Sequence, residues 1–235
     1  MLSWHRPYLE TENTLYTLRQ QTVHPAEIIV VDGNDPFDMD LRDLCTLYGA
    51  QHLSYPMTAF SIAKGTNYGI KRAAPSSHFV MTICAEMLLA KGVIAKIAEI
   101  STDSTITLSP CGFLPPSVKI TNAKWAFENH LALSAHVNPN PPVYVSGGTL
   151  MCLTRAWWHM VHGFDVTRPF AYADSVVWHM AKLSGFDMVA LKWKDEDTRI
   201  LHPYHDVNPL VSSLGGSWPA PYETNPIRND ENWGE

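Results

Sequence analysis

EIIVVDGNDP, residues 27–36, decides how this chain folds. Ile28 to Val31 are apolar at every position, and Asp32-Gly33-Asn34-Asp35-Pro36 is a dense turn signal. An unalternating apolar run suits a parallel strand covered on both faces. Working outward, ETENTLYTLRQQT (10–22) carries Leu15, Leu18 and Thr22 at helical spacing, with Thr11 as a candidate N-cap. Leu41, Leu44, Cys45, Leu47 and Tyr48 mark one face of a second helix that Gly49 closes. QHLSY (51–55) reads as a strand, SIAKGTNYGIKRAA (61–74) as a helix, HFVMTI (78–83) as a strand and roughly 90–100 as a helix. Met1-Leu2-Ser3 forms the tail of a short first strand running into His5-Arg6-Pro7. Strictly alternating strands and helices predict a layered α/β fold with a parallel sheet and right-handed crossovers. Ligands of such sheets bind outside the carboxyl ends of the strands. Asp32 and Glu86 both fall at such ends, so the expectation is that they face one crevice.

The remaining composition bounds the function. The 235 residues carry 17 Lys and Arg against 23 Asp and Glu, a net charge of −6, which argues against a broad nucleic-acid-binding face. Cys45, Cys84, Cys111 and Cys152 lie far apart with no CxxC pair, which fits reduced thiols better than a disulfide framework. No stretch has the length of a membrane span, and MLSWHRPYLE has neither an apolar h-region nor a cleavage site. These features predict a soluble, cytoplasmic protein.

The expected division is a first half, 1–109, and a second half, 110–235, within one continuous domain. Residues 110–148 are rich in Pro and Asn and predict long loops with a few strands. TLMCLTR follows Gly147-Gly148, a helix starts near Trp157, HGFD (162–165) turns, and 171–185 is a helix closed by Gly185. Two short strands flank KDEDTR, and the last 30 residues are aromatic, Pro-rich and irregular.

Glu86 raises a question of its own. A carboxylate at the end of the buried strand in FVMTICAEMLLAKGV (79–93) needs a partner, because burying it alone is costly. It is a metal ligand, a member of a structural ion pair, or the first exposed residue of a loop. Cys84, two residues earlier, suits a small buried apolar position better than a hard cation.

Four stretches together resemble the GT-A nucleotide-sugar glycosyltransferases, glycosyltransferase family 2 in particular. They are LSWHRPYLETENTLYTLRQQTVHPAEIIVVDGNDP, AKGTNYGIKRAAPSSHFVMTICAEML, SGGTLMCLTRAWWHMVHGFDV and AYADSVVWHMAKLSG. The family's order is N-R-P, a helix ending S-L-x-x-Q, I-I-V-V-D, an R-N-x-G-I helix, D-x-D, G-G with a later Arg, G-F-D and an E-D pair. The chain departs from it at His5-Arg6-Pro7 (His for Asn), at Cys84-Ala85-Glu86 (for D-x-D) and at Ala173-Asp174 (for E-D).

The resemblance implies a Rossmann-like, mostly parallel sheet flanked by helices, with an irregular acceptor-side half. It implies transfer of a sugar from a UDP-sugar to a hydroxyl, with inversion and with Mn2+ or Mg2+ as cofactor. Glu86, as the last acid of the altered D-x-D, and His202 or His205 of ILHPYHD (200–206) would hold the ion. Asp32, Arg6, Lys64, Asn67 and Gly148 would line the donor, Asp174 would be the base, and Gly163, Trp158 and Asp165 would meet the acceptor.

An ordinary reading stands beside each. Asp32 caps a turn, Arg6 makes an outside ion pair, Lys64 and Asn67 sit on a helix surface, Asp174 occupies a first helical turn, and Trp157, Trp158 and Trp178 pack in the core. The acceptor is soluble, presented by a protein, or a hydroxymethylated base in DNA as in some viral enzymes. A non-catalytic nucleotide-sugar-binding module is the alternative from another class.

Overall fold

The computed structural model describes residues 1–6, 8–137, 144–145, 149–167, 173–205, 227 and 229–235. The elements run β1 (Leu2–Ser3), α1 (Tyr8–Arg19), β2 (Ile29–Asp32), α2 (Met39–Leu47), β3 (Gln51–Ser54), α3 (Ile62–Lys71), β4 (Phe79–Ile83), β5 (Leu88–Leu89) and α4 (Val93–Ile100). There follow β6 (Thr105–Leu108), β7 (Pro110–Phe113), α5 (Ala123–Glu128), α6 (His130–Ser134), β8 (Tyr144–Val145), β9 (Leu150–Thr154), α7 (Arg155–Val161), α8 (Ala173–Leu183), β10 (Asp187–Ala190) and β11 (Ile200–His202).

Local chemistry explains several boundaries. Asp38 caps α2 by accepting from the N–H groups of Asp40 and Leu41, and Ser61 caps α3 by accepting from Lys64. The Thr11 N-cap is not realised. Helix α1 begins at Tyr8, one turn earlier, and Thr11 is buried inside it. Pro7 precedes that start in the sequence, a residue type suited to opening a helix.

The layered α/β fold is present, with a mixed arrangement of strands. β1, β2 and β3 form a parallel sheet in spatial order β1-β2-β3. A second sheet runs β10-β6-β9-β4; β10 is parallel to β6, whereas β9 is antiparallel to both β6 and β4. The third sheet, β5-β11-β7-β8, is also mixed. β9 departs from the mostly parallel expectation, and an antiparallel neighbour needs no helical crossover.

Side chains pack against both faces of this layer. Leu15, Leu18, Val30, Leu44, Val93 and Ile97 belong to one core cluster, and Ile106, Met151, Trp157, Trp158, Val176 and Met180 to another. The layer carries the ends of β1, β2 and β4 and the turn after β4, from which the site is built.

Candidate active site

Glu86 sits in the turn between β4 and β5, and a threonine of α1 holds that turn in place. The Thr14 hydroxyl donates to the carbonyl of Met87 at 3.0 Å and accepts from the Met87 N–H at 2.7 Å. The Glu86 side chain is 7% exposed and meets three other groups. Its Oε1 lies 3.3 Å from Nη2 of Arg6, 3.6 Å from Nε2 of His202 and 3.9 Å from Nε2 of His205. The ion-pair reading of Glu86 is therefore realised together with the histidine cluster. Burial pushes its carboxyl upward, but the His202 hydrogen bond and the charge of Arg6 outweigh that and hold it below its usual range.

The two histidines come from the end of β11. The His202 ring lies between Phe113 and His205, with centroid separations of 4.9 and 5.0 Å. Its Nδ1 lies 2.7 Å from the Pro203 carbonyl. A carbonyl only accepts, so Nδ1 carries a proton, and Nε2 is the ring atom that faces Glu86, able to donate to that carboxylate or, without its proton, to bind an ion. One donor atom from each of Glu86, His202 and His205 can be chosen so that all lie within 4.8 Å of one another. That set, one carboxylate and two imidazoles, fits a divalent ion bound at ~2.0–2.2 Å from each ligand after a small contraction. Two nitrogens favour Mn2+ over Mg2+, which prefers oxygen and water.

Arg6 extends the cluster. Its Nη1 is 3.3 Å from His205 Nε2 and 3.6 Å from Oε2 of Glu10. Glu10 was not singled out in the sequence, although Arg6-x-x-x-Glu10 is a helical i,i+4 spacing. Arg6 owes its place to Asp32 through a chain of polar contacts. Asp32 is fully buried; its Oδ1 accepts from the N–H and side-chain amide of Asn34, and its Oδ2 from Asp38 N–H and His52 Nε2. The Asn34 side-chain carbonyl then accepts from His5 N–H at 2.8 Å. His5 adopts φ +50°, a left-handed turn immediately before Arg6. The turn-capping reading of Asp32 holds: both its oxygens are engaged, and it positions the loop that delivers Arg6.

Cys84 is a half-buried, neutral thiol. Burial pushes it well above its usual range, and the charges of Glu86 and, more weakly, Asp174 add to the shift. Asp174 stands in the first turn of α8.

The other expected residues divide differently. Asn67 is fully buried, and its amide clamps both backbone polar groups of Phe164, 97 residues away: Nδ2 donates to the Phe164 carbonyl at 2.9 Å and Oδ1 accepts from Phe164 N–H at 2.7 Å. It therefore does not line the donor. Gly163, at φ +72°, packs against the Asn67 amide and Trp233, where a Cβ would collide with both. Asp165 is buried and accepts from the N–H and hydroxyl of Thr167, closing its own turn. Trp158 is wholly buried, its Nε1 donating to the Val80 carbonyl and its ring stacked on Phe164. This is the core packing that the ordinary reading of the helix tryptophans expects. Lys64 is exposed on α3. Gly148 lies outside the described residues.

Among the described residues, no helix is long and apolar enough to cross a membrane. No protein-family model matches the chain, and no curated protein matches it. Solved structures do. GalNAc-T7, determined with UDP, GalNAc and Mn2+, superposes with a TM-score of 0.60 at 10% identity, over 86% of this chain and 43% of that one. S. aureus TarS gives 0.57 at 16% identity over 86% of this chain and 36% of its own length, and its fragment 1–349 gives 0.58 with 58% of that chain covered. The chain thus spans well under two thirds of the full-length glycosyltransferases that it resembles. The likeness establishes its fold: that of the GT-A nucleotide-sugar glycosyltransferases.

Proposed function

We propose that this chain is a metal-dependent glycosyltransferase that moves a sugar from a UDP-sugar to a hydroxyl acceptor with inversion. The observation that carries the reading is the convergence of Glu86, His202 and His205 beyond the strand ends of a GT-A fold. These three residues would hold Mn2+, and a bound divalent cation supplies positive charge that stabilises the departing diphosphate.

The chain's own groups supply the rest. Arg6, on the same cluster, neutralises phosphate oxygens once a donor is bound and Glu86 is shared with the ion. Asp174 takes the acceptor proton. It stands in the first turn of α8, where a helix N-terminus favours negative charge. As the acceptor oxygen bonds to the anomeric carbon, the bond from that carbon to the β-phosphate oxygen breaks. The proton passes to Asp174 and UDP departs with the electron pair. Lys64 is the remaining donor-side candidate. With net charge −6, a soluble or protein-presented acceptor suits the chain better than DNA.

The Arg6–Glu86 contact favours a second reading in which transfer proceeds without metal and Arg6 with the two histidines grips the diphosphate directly. Thermal shift with UDP, with and without Mn2+, separates the two. The metal-dependent reading expects stabilisation by UDP to need Mn2+, and Arg6→Ala to bind Mn2+ at least as tightly as the parent, since a competing cation is gone. EDTA-insensitive UDP binding that Arg6→Ala abolishes supports the second reading. Absence of any UDP-dependent shift, together with no UDP release from a panel of UDP-sugars, overturns both.

A further inference from the structure

A second carboxylate reaches the Glu86 cluster from helix α1. Glu10 lies one turn before Thr14 on that helix, and a spacing of four residues puts both on one face. Thr14 grips Met87, the residue after Glu86, so this face of α1 is the one that backs the Glu86 turn. The Glu10 side chain is 14% exposed, and among the described residues its buried Oε2 has no hydrogen-bond partner. Nη1 of Arg6 stands 3.6 Å away, too far for a hydrogen bond. Glu10 does not join the set formed by Glu86, His202 and His205, whose donor atoms lie within 4.8 Å of one another.

Arg6 is placed to compete with a divalent ion for that set. Its Nη2 faces Glu86 Oε1 at 3.3 Å and its Nη1 faces His205 Nε2 at 3.3 Å, so the guanidinium covers two of the three donors. Once those donors turn to an ion, Arg6 is a partly buried cation beside like charge, which is costly unless another anion accepts it. Glu10 is the anion within reach. Arg6 precedes α1, after the left-handed turn at His5, whereas Glu10 rides on the helix and Glu86 on the turn that Thr14 fixes. The arginine is therefore the member that moves, and closing from 3.6 Å to the ~2.8 Å of a charge-assisted bond takes under an ångström. A plain i,i+4 ion pair does not account for this placement, because Arg ahead of Glu is the weaker order and the contact is open.

Resting on the metal-dependent reading above, we propose that Glu10 is a positioning residue that receives the Arg6 guanidinium when Glu86 and His205 turn to a divalent ion. In that role Glu10 sets ion affinity without touching the ion. It draws Arg6 aside by a short distance and keeps it at the rim of the site, where its other N–H groups stay available to diphosphate oxygens. Glu10→Gln preserves the size of the side chain and removes its charge, so Arg6 should stay on Glu86 and compete with the ion in full.

Calorimetric titration of the full chain with MnCl2, above the ordinary histidine range, tests this. Glu10→Gln should weaken Mn2+ binding about 10–100-fold. Arg6→Gln should bind Mn2+ at least as tightly as the parent. The double variant should match Arg6→Gln within about threefold, because without the guanidinium Glu10 has nothing to receive. Glu10→Asp, whose charge is set one carbon further back, should lose less than Glu10→Gln, and Arg6→Gln should cancel that loss too. This second pair decides the matter if Glu10→Gln does not fold. The proposal is overturned if the Glu10 variants bind like the parent. It is also overturned if the double variant is as weak as Glu10→Gln, which would make Glu10 a direct partner of the ion. Binding by Arg6→Gln but not by the parent overturns it as well, since Arg6 would then never be drawn off Glu86. The metal-dependent reading survives those three outcomes, whereas absence of Mn2+ binding by both the parent and Arg6→Gln removes that reading and this proposal together.

Discussion

Two buried polar side chains, Asn67 and Glu86, occupy comparable places in this molecule and have opposite characters. Asn67 makes two hydrogen bonds of 2.7 and 2.9 Å to the backbone N–H and C=O of one residue, Phe164. Glu86 is approached at 3.3, 3.6 and 3.9 Å by one guanidinium and two imidazoles, all beyond the ~2.7–2.9 Å of a tight charge-assisted bond. A polar group whose bonds close within the protein is part of the scaffold. Charged groups gathered at loose distances leave room for an ion or a ligand between them. Residue type does not distinguish the two cases; the partners do.

The sharpest way to break this contrast is to exchange the phenotypes. Glu86→Gln should lower sugar transfer, read as UDP release, by about 10²–10³-fold and abolish Mn2+ binding in calorimetry, with Tm shifting only a few degrees. Asn67→Ala should do the reverse. It should cost about 2–4 kcal/mol in denaturant unfolding while leaving kcat/KM per folded molecule near the parent value. A destabilised Glu86→Gln with full activity, or a stable Asn67→Ala that no longer binds UDP, would invert the assignment.

Asp174→Asn tests the catalytic side further. A loss of about 10²–10³-fold in kcat with donor KM unchanged is expected, because the base acts in the transition state and not on the bound donor.

His130 extends the scaffold side of the comparison to pH. It is buried, donates to the Leu88 carbonyl from Nε2, and burial lowers it to about 4 from 6.5. A depressed histidine is neutral in both folded and unfolded chains above pH 6.5, so it contributes no pH dependence there. Between pH 6.5 and about 4 the unfolded chain binds the proton more readily, and stability should fall by roughly 3 kcal/mol across that window. Urea unfolding at a series of pH values measures it, and His130→Gln should flatten the slope. The smallest effect is expected at Lys64. Lys64→Ala should leave Tm unchanged and weaken UDP binding by only about threefold, more so at low salt, because an exposed cation is strongly screened.

How much of this was open to sequence reading follows from the same distinction. Ile28 to Val31 and the turn at Asp32 located the parallel sheet, because an apolar run and a turn signal are local properties. Glu86 with His202 and His205 was reachable through the order of motifs and the cost of burying a carboxylate. The role of Asn67 was not, since its partner is the backbone of Phe164, 97 residues away, and an exposed helix asparagine looks the same in sequence. The interior packing of Trp158 and Gly163 is set by distant partners in the same way, and the ordinary reading of helix tryptophans as core anticipates the first of them. The direction of β9 was hidden because an apolar run reads alike in either orientation, and the start of α1 because Thr11 resembles a cap wherever it stands.

The antiparallel seat of β9 between β4 and β6 has a consequence for synthesis of the protein. A nascent chain that has emerged only to residue 109 carries both flanking strands but lacks the segment that joins them, so the two cannot be zipped together until Thr154 has left the ribosome. A fragment truncated before that residue should be sticky and chaperone-bound, and splitting the gene between the halves should yield two insoluble pieces that recover only when co-expressed.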